Sequence, residues 1–140
     1  FNLAELEAND IDPEAWPILR DSDGNLTEGS WGNMFLVTGG VLRTPGDHAL
    51  LQGVSRGMVF DLAKLLDIPI FEEDLQPYDL YTSDEAFFSS TSYCILPITR
   101  VDHRQIGDGQ PGTMTKQLLA TWSERVGLDI VKQALAFSGQ

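Results

Sequence analysis

Glu28 is the one carboxylate in the segment Leu26-Thr27-Glu28-Gly29-Ser30-Trp31-Gly32-Asn33, where two glycines and a serine leave little side chain around it. Glycine lets a backbone or a flat ligand come close. A carboxylate held there can face a cationic ring nitrogen and keep it protonated, because a nearby opposite charge favours the charged form. The alternative is a surface Glu in a loop between two strands.

A second group points to anion binding. Gly53-Val54-Ser55-Arg56 leads into Met58, Val59, Leu62, Leu65 and Leu66, which fall on one face of a helix ending before Pro69. Ser55 is expected at the N-cap of that helix. Free N–H groups at a helix start, a Gly for close approach and a hydroxyl together make an anion site. A serine that only caps a core helix has the same local sequence. The third group is the hydroxyl run Ser89-Ser90-Thr91-Ser92-Tyr93 at the end of an expected strand. His48 and His103 sit in expected loops without metal-ligand spacing, so no metal site is expected. Cys94 begins an expected strand, where a buried structural thiol is the ordinary role. Asp79, Asp84 and Glu85 read as a solvated face or as helix caps.

The elements that must position these residues follow from spacing. Phe1 to Ala8 has helical periodicity, and no N-cap precedes it; it reads as the tail of a helix that starts upstream. Asp12-Pro13 breaks the pattern, and Trp16 to Arg20 is a first strand followed by the Asp23-Gly24 turn. Asn33 to Thr38 and Val41 to Thr44 form a hairpin through Gly39-Gly40. Ile68 to Glu72 is a strand and Pro77 to Tyr81 a single helical turn. Glu85 to Phe88 and Cys94 to Val101 are strands, the second demoted to an edge or bulge by Pro97. A Gly-rich loop from Ile106 to Pro111 precedes a helix from Thr113, with Met114, Leu118, Trp122 and Val126 on one face. Gly127 ends it, and Leu128 to Phe137 is a last short helix.

Composition narrows the function classes. The 140 residues suffice for one domain with a core. Nine Lys and Arg against 21 Asp and Glu give a net charge of −12, which argues against nucleic acid and anionic membrane surfaces as partners. No apolar run reaches the length of a membrane span. A single cysteine excludes an internal disulfide and fits a reducing compartment such as the cytoplasm.

In order along the chain, four segments resemble the class IV, fold-type-IV aminotransferases that use pyridoxal phosphate (PLP), the branched-chain and D-amino-acid aminotransferase family. They are Thr27-Glu28-Gly29-Ser30 with Asn33; Leu51-Gln52-Gly53-Val54-Ser55-Arg56; Asp84-Glu85-Ala86-Phe87 through Thr91 to Pro97-Ile98; and Ile106 to Gly112 with Thr115-Lys116. The resemblance implies that Glu28 contacts the pyridine nitrogen and that Leu51 lies flat against one ring face. It implies that Gly53, Val54 and Ser55 bind the phosphate, joined by Thr91. Backbone N–H groups around Thr91 and Ser92 would lie near the substrate carboxylate, with Tyr93 in the pocket wall. The implied substrates are an amino acid or amine and a 2-oxoacid, and the implied assembly is a homodimer.

The family's Schiff-base lysine lies upstream of the Glu28 segment, and Lys64, Lys116 and Lys132 do not match its position. The chain is therefore expected to be the C-terminal domain, residues 1–140, with no catalytic residue of its own. The lysine would come from an N-terminal domain of the same enzyme. Trp31 and Gly32 depart from the smaller or more polar residues of branched-chain enzymes, and Ser92-Tyr93-Cys94 replaces a small-residue turn. A lyase resembling aminodeoxychorismate lyase would use the same Glu28, Ser55 and Thr91. A non-catalytic domain binding a phosphate ligand remains a further alternative. The expected fold is α/β, a mixed twisted sheet closing into a pseudo-barrel with helices packed outside.

Overall fold

The computed structural model describes residues 2–46 and 53–138. Among them are five helices and nine short strands. Helix α1 (Asn2–Ile11) leads to strands β1 (Ile18–Arg20), β2 (Leu26–Gly29), β3 (Gly32–Thr38) and β4 (Val41–Thr44). Helix α2 (Val54–Leu65), strand β5 (Ile70–Glu72) and the short helix α3 (Pro77–Tyr81) follow. Strands β6 (Glu85–Ser90), β7 (Cys94–Ile98), β8 (Arg100–Val101) and β9 (Arg104–Gln105) precede helices α4 (Thr113–Val126) and α5 (Ile130–Ser138).

Strand β3 is the spine of a seven-stranded sheet. Its first residues pair with β2 and its last with β4, while β6 runs antiparallel along it from Asn33↔Ser89 to Val37↔Glu85. All pairings in the sheet are antiparallel except β4 with β5, so the α/β mixed sheet expected from the sequence is present. Closure into a barrel is not part of this pairing: β1, β5 and β7 each have one neighbour among the described residues.

Met34 to Val37 are all buried because the sheet is covered on both faces, which makes β3 read as a continuous apolar run. Phe35, Val37, Phe87 and Ile95 face helices α2, α4 and α5, meeting Val59, Leu62, Leu118 and Trp122. Met34, Leu36 and Phe88 face the other way, onto Leu75, Leu80 and Ile106. Phe35 and Phe87 stack at 5.1 Å between ring centroids, directly across from each other in the register.

Several sequence expectations are met and others are trimmed. Gly39 and Gly40 both have positive φ, +59° and +77°, as a two-residue hairpin turn requires. Gly127 ends α4 in the left-handed region, at φ 71°. Pro97 lies in β7, an edge strand that pairs with β6 alone among the described residues, where a missing N–H is tolerated. The expected strand from Cys94 to Val101 instead stops at Ile98, and a separate ribbon of β8 and β9 turns through Asp102 and His103, both at positive φ. Leu65 and Val126 lie exposed at the last turns of their helices, off the apolar faces assigned to them.

Candidate functional site

The register of three strands lines up Glu28, Asn33 and Ser89. Glu28 pairs with Asn33 between β2 and β3, and Asn33 pairs with Ser89 between β3 and β6. Directly opposed residues share a face, so this row continues the helix-covered face that carries Phe35 and Phe87. The Asn33 side-chain N–H donates to Glu28 Oε2 at 3.3 Å. Glu28 is half-buried and Asn33 is 5% exposed. Ser89 is buried, and its hydroxyl has no hydrogen-bond partner among the described residues.

The glycines around the row are places where a side chain would not fit. A Cβ on Gly29 would meet the Phe88 ring at 2.6 Å, and one on Gly32 would meet the Ser89 carbonyl at 2.5 Å. A Cβ on Gly53 would lie 2.9 Å from Asn33 Oδ1. Gly53 is thus pressed against the middle of the row, and it is also where α2 begins.

The start of α2 differs from the sequence expectation. The N-cap is Gly53, at φ −77° and ψ 151°, and Ser55 is the second helical residue rather than the cap. Glycine is itself an acceptable N-cap, so the helix begins two residues earlier than the hydroxyl suggested. The first helical backbone bond runs from the Gly57 N–H to the Gly53 carbonyl at 3.2 Å. The N–H groups of Val54, Ser55 and Arg56 precede it and have no helical acceptor. No acidic side chain occupies the first turn, so the positive end of the helix dipole is not countered locally. Ser55 is buried, and Val54 is 86% exposed.

Arg56 fixes where this helix start lies. Its guanidinium donates to the Pro45 carbonyl at 3.1 Å, just beyond β4, and to Glu72 Oε1 at 2.7 Å, in β5. It also sits 4.8 Å over the Phe60 ring. The residue is 5% exposed.

Thr91 opens the turn after β6, two residues beyond Ser89, and is exposed together with Ser92. The turn is closed by a bond from the Tyr93 N–H to Ser90 Oγ at 3.1 Å, and Cys94 follows at φ 60°. Burial raises the Cys94 thiol pKa. The Tyr93 ring lies 6.0 Å from Trp16, which stacks on Phe88, on the face opposite the Glu28 row. Leu51 lies outside the described residues. Lys64, Lys116 and Lys132 are exposed. Among the described residues no group of His, Cys, Asp and Glu could hold a metal ion.

The structure therefore brings Glu28 and the Gly53-Val54-Ser55 helix start together through Asn33. Thr91 follows in the turn after β6, two residues beyond Ser89 of the row, and the Tyr93 ring is set apart. In the sequence Asn33 stands out only as part of a family segment and Ser89 only as part of the hydroxyl run, with no role of their own. The signal that marks them is a polar residue in step with Phe35 and Phe87 on a core-facing strand row. Chemically, the arrangement offers a carboxylate acceptor, backbone N–H donors and a buried unpaired hydroxyl, with glycines where a Cβ would intrude. That set fits a flat ring with a cationic nitrogen and a phosphate.

Comparison with known proteins gives consistent relatives. Residues 1–101 match the family described as amino-transferase class IV. The branched-chain-amino-acid aminotransferase of Pseudomonas aeruginosa is 34% identical over 109 residues, 78% of this chain and 36% of its own. A D-alanine aminotransferase of Listeria monocytogenes is 39% identical over 72% of this chain and 35% of its own. Among solved structures, the PLP form of the Thermobaculum terrenum branched-chain amino acid aminotransferase superposes with a TM-score of 0.83 at 29% identity. That match covers 89% of this chain and 41% of the other. The Escherichia coli branched-chain enzyme gives 0.78 at 34% identity, covering 86% of this chain and 43% of the other. The chain spans about a third to two fifths of the length of the curated relatives it matches, from 32% to 40%.

Proposed function

The chain belongs to the class IV aminotransferase family, and on that premise we propose that it is the PLP-holding C-terminal domain of an aminotransferase. The intact enzyme moves an amino group between an amino acid or amine and a 2-oxoacid. Its remaining length carries the N-terminal domain with the Schiff-base lysine, a reading supported by the share of its relatives that this chain spans. The observation that carries the reading is the contact between the two ends of the site. Asn33 bonds Glu28 on one side and abuts the start of α2 at Gly53 on the other.

Bound PLP supplies an electron sink for the substrate carbon that loses its proton. Glu28 holds a proton at the ring nitrogen by placing a negative charge beside it. The N–H groups of Val54 and Ser55 and the Ser55 hydroxyl bind the phosphate at the helix start next to Gly53. Thr91 binds the same phosphate from the turn after β6, and two anchors on separate elements limit the tilt of the ring. The backbone of Thr91 and Ser92 receives the substrate carboxylate, and the Tyr93 ring, packed on Trp16 on the other face of the sheet, takes no part in that pocket within this chain.

We further propose a homodimeric, cytoplasmic enzyme. Exposed Leu3, Leu6 and Ile11 on α1 support the first, and the single, unbridged cysteine supports the second. Among the described residues no helix is long and apolar enough to cross a membrane.

Titrating the chain with PLP and following the visible absorbance tests the cofactor reading. Saturable binding is expected. Ser55→Ala should weaken it about fivefold, in line with the ~1 kcal/mol of one hydroxyl contact. A chain that binds no PLP, or a Ser55→Ala variant that binds with unchanged affinity, contradicts the assignment.

A further inference from the structure

Pyridoxal phosphate has a rigid ring and a phosphate on a short CH2–O link, so the span from its nitrogen to its phosphate varies only within the reach of that link. A protein that grips both ends must hold its carboxylate and its N–H donors at a matching span. Here the two grips lie on different elements, Glu28 in β2 and the helix start in α2. Asn33 touches both. Its N–H bonds Glu28 Oε2 at 3.3 Å, and its Oδ1 faces Gly53 so closely that a Cβ there would stand 2.9 Å away. Donor and acceptor of one planar amide diverge from a single carbon at fixed angles. The side chain is 5% exposed, on a strand row it shares with Phe35 and Val37. Burying an amide there costs free energy unless its polar atoms are bonded, so packing alone does not explain it.

We propose that Asn33 is the positioning residue of the cofactor site, a gauge that sets the distance and angle between the Glu28 carboxylate and the start of α2. It rests on the PLP reading above. Asn33 acts through Glu28 and Gly53 and needs no contact with the cofactor. Its loss leaves the N–H donors of α2 in place while Glu28 drifts from the ring nitrogen. A side chain at Gly53 would push on the same amide from the opposite side and have the same effect.

The test measures the affinity of the full chain for two probes, PLP and inorganic phosphate, in four forms: wild type, Asn33→Ala, Gly53→Ala and the double variant. Asn33→Ala should weaken PLP about tenfold, or ~1.4 kcal/mol, and leave phosphate within about twofold. Gly53→Ala should weaken PLP by a similar factor and phosphate by clearly less, the phosphate loss being what the methyl costs the helix start itself. In the double variant the added methyl should cost less than about twofold beyond Asn33→Ala, because the atom it presses on is gone. A purely structural role predicts equal losses for both probes and additive effects, and either result overturns the proposal. Wild-type PLP affinity in Asn33→Ala also overturns it while leaving the cofactor reading intact. Wild-type chain that binds neither probe overturns both. If circular dichroism finds Asn33→Ala unfolded, Gly53→Ala decides. A PLP loss clearly larger than the phosphate loss supports the gauge, and unchanged PLP affinity rejects it.

Discussion

A Glu28→Gln change keeps the shape of the side chain and removes its charge. In the intact enzyme the phosphate grip would be untouched, so PLP should stay bound, while the ring nitrogen would lose the partner that holds its proton. We expect kcat and kcat/KM to fall together, by about 100- to 1,000-fold, as for loss of one preorganised electrostatic contact. Steady-state kinetics with a parallel PLP titration checks this; an unchanged kcat with retained PLP removes Glu28 from its assigned role. In the sequence the surrounding glycines drew attention to Glu28, and a Gly and an apolar helical face drew it to Ser55, while the roles given to both come from the family resemblance. The exact place of Ser55 was not legible. Boundary residues of a helix are chosen by backbone conformation, and Gly53 takes the extended N-cap conformation without needing a hydroxyl. The parts that Asn33 and Ser89 play were hidden because a polar residue on a strand announces its face only once the strand's partners are known.

Helix α4 begins at Thr113, yet its cap comes from the sheet. Glu85, the first residue of β6, accepts from the Met114 N–H at 3.1 Å and from both the N–H and hydroxyl of Thr115 at 2.9 Å. The negative charge also meets the positive end of the helix dipole. Gly112 leaves room for this carboxylate, since a Cβ there would overlap Glu85. Glu85→Ala strands three donors at a partly buried helix end, and we expect a loss of ~2 kcal/mol of stability. That corresponds to a fall in Tm of about 6 °C for a chain of this size, read by calorimetry. Glu85→Gln, which keeps one acceptor, should lose less, and equal stability of all three proteins counts against the cap. Local signals revealed the Gly39-Gly40 turn, the Gly127 stop and the helical periodicity of α2 and α4. They did not reveal that the α4 cap lies 29 residues upstream, that β4 and β5 run parallel or that β8 and β9 form their own ribbon. Each of these depends on pairing between distant segments, which composition and spacing do not encode.

At the scale of the molecule, two properties oppose each other. The chain carries a net charge of −12, which makes copies repel. It also exposes Leu3, Leu6 and Ile11 on α1, Val54 at the start of α2, and Leu128, Val131 and Leu135 around α5. Association driven by that apolar surface should be masked at low ionic strength and emerge as salt screens the charge. Sedimentation velocity at rising protein concentration, in about 0.02 M and about 0.3 M salt, should report more association in the second. A monomer at every concentration and salt would argue against the proposed dimer. Both the acidity and the presence of a buried core were legible from composition; which apolar residues stay exposed was not, because periodicity marks an apolar face without saying what packs on it.

The bond from Arg56 to the Pro45 carbonyl fastens the two ends of the connection between β4 and α2 to each other. The strand end and the helix start then keep their places whatever number of residues joins them. Lengthening such a tether costs only closure entropy, about 0.6 kcal/mol for each doubling. The frame of the site is therefore set by one guanidinium on a carbonyl, so that Arg56→Ala would loosen the helix start from the sheet without touching a cofactor-binding residue.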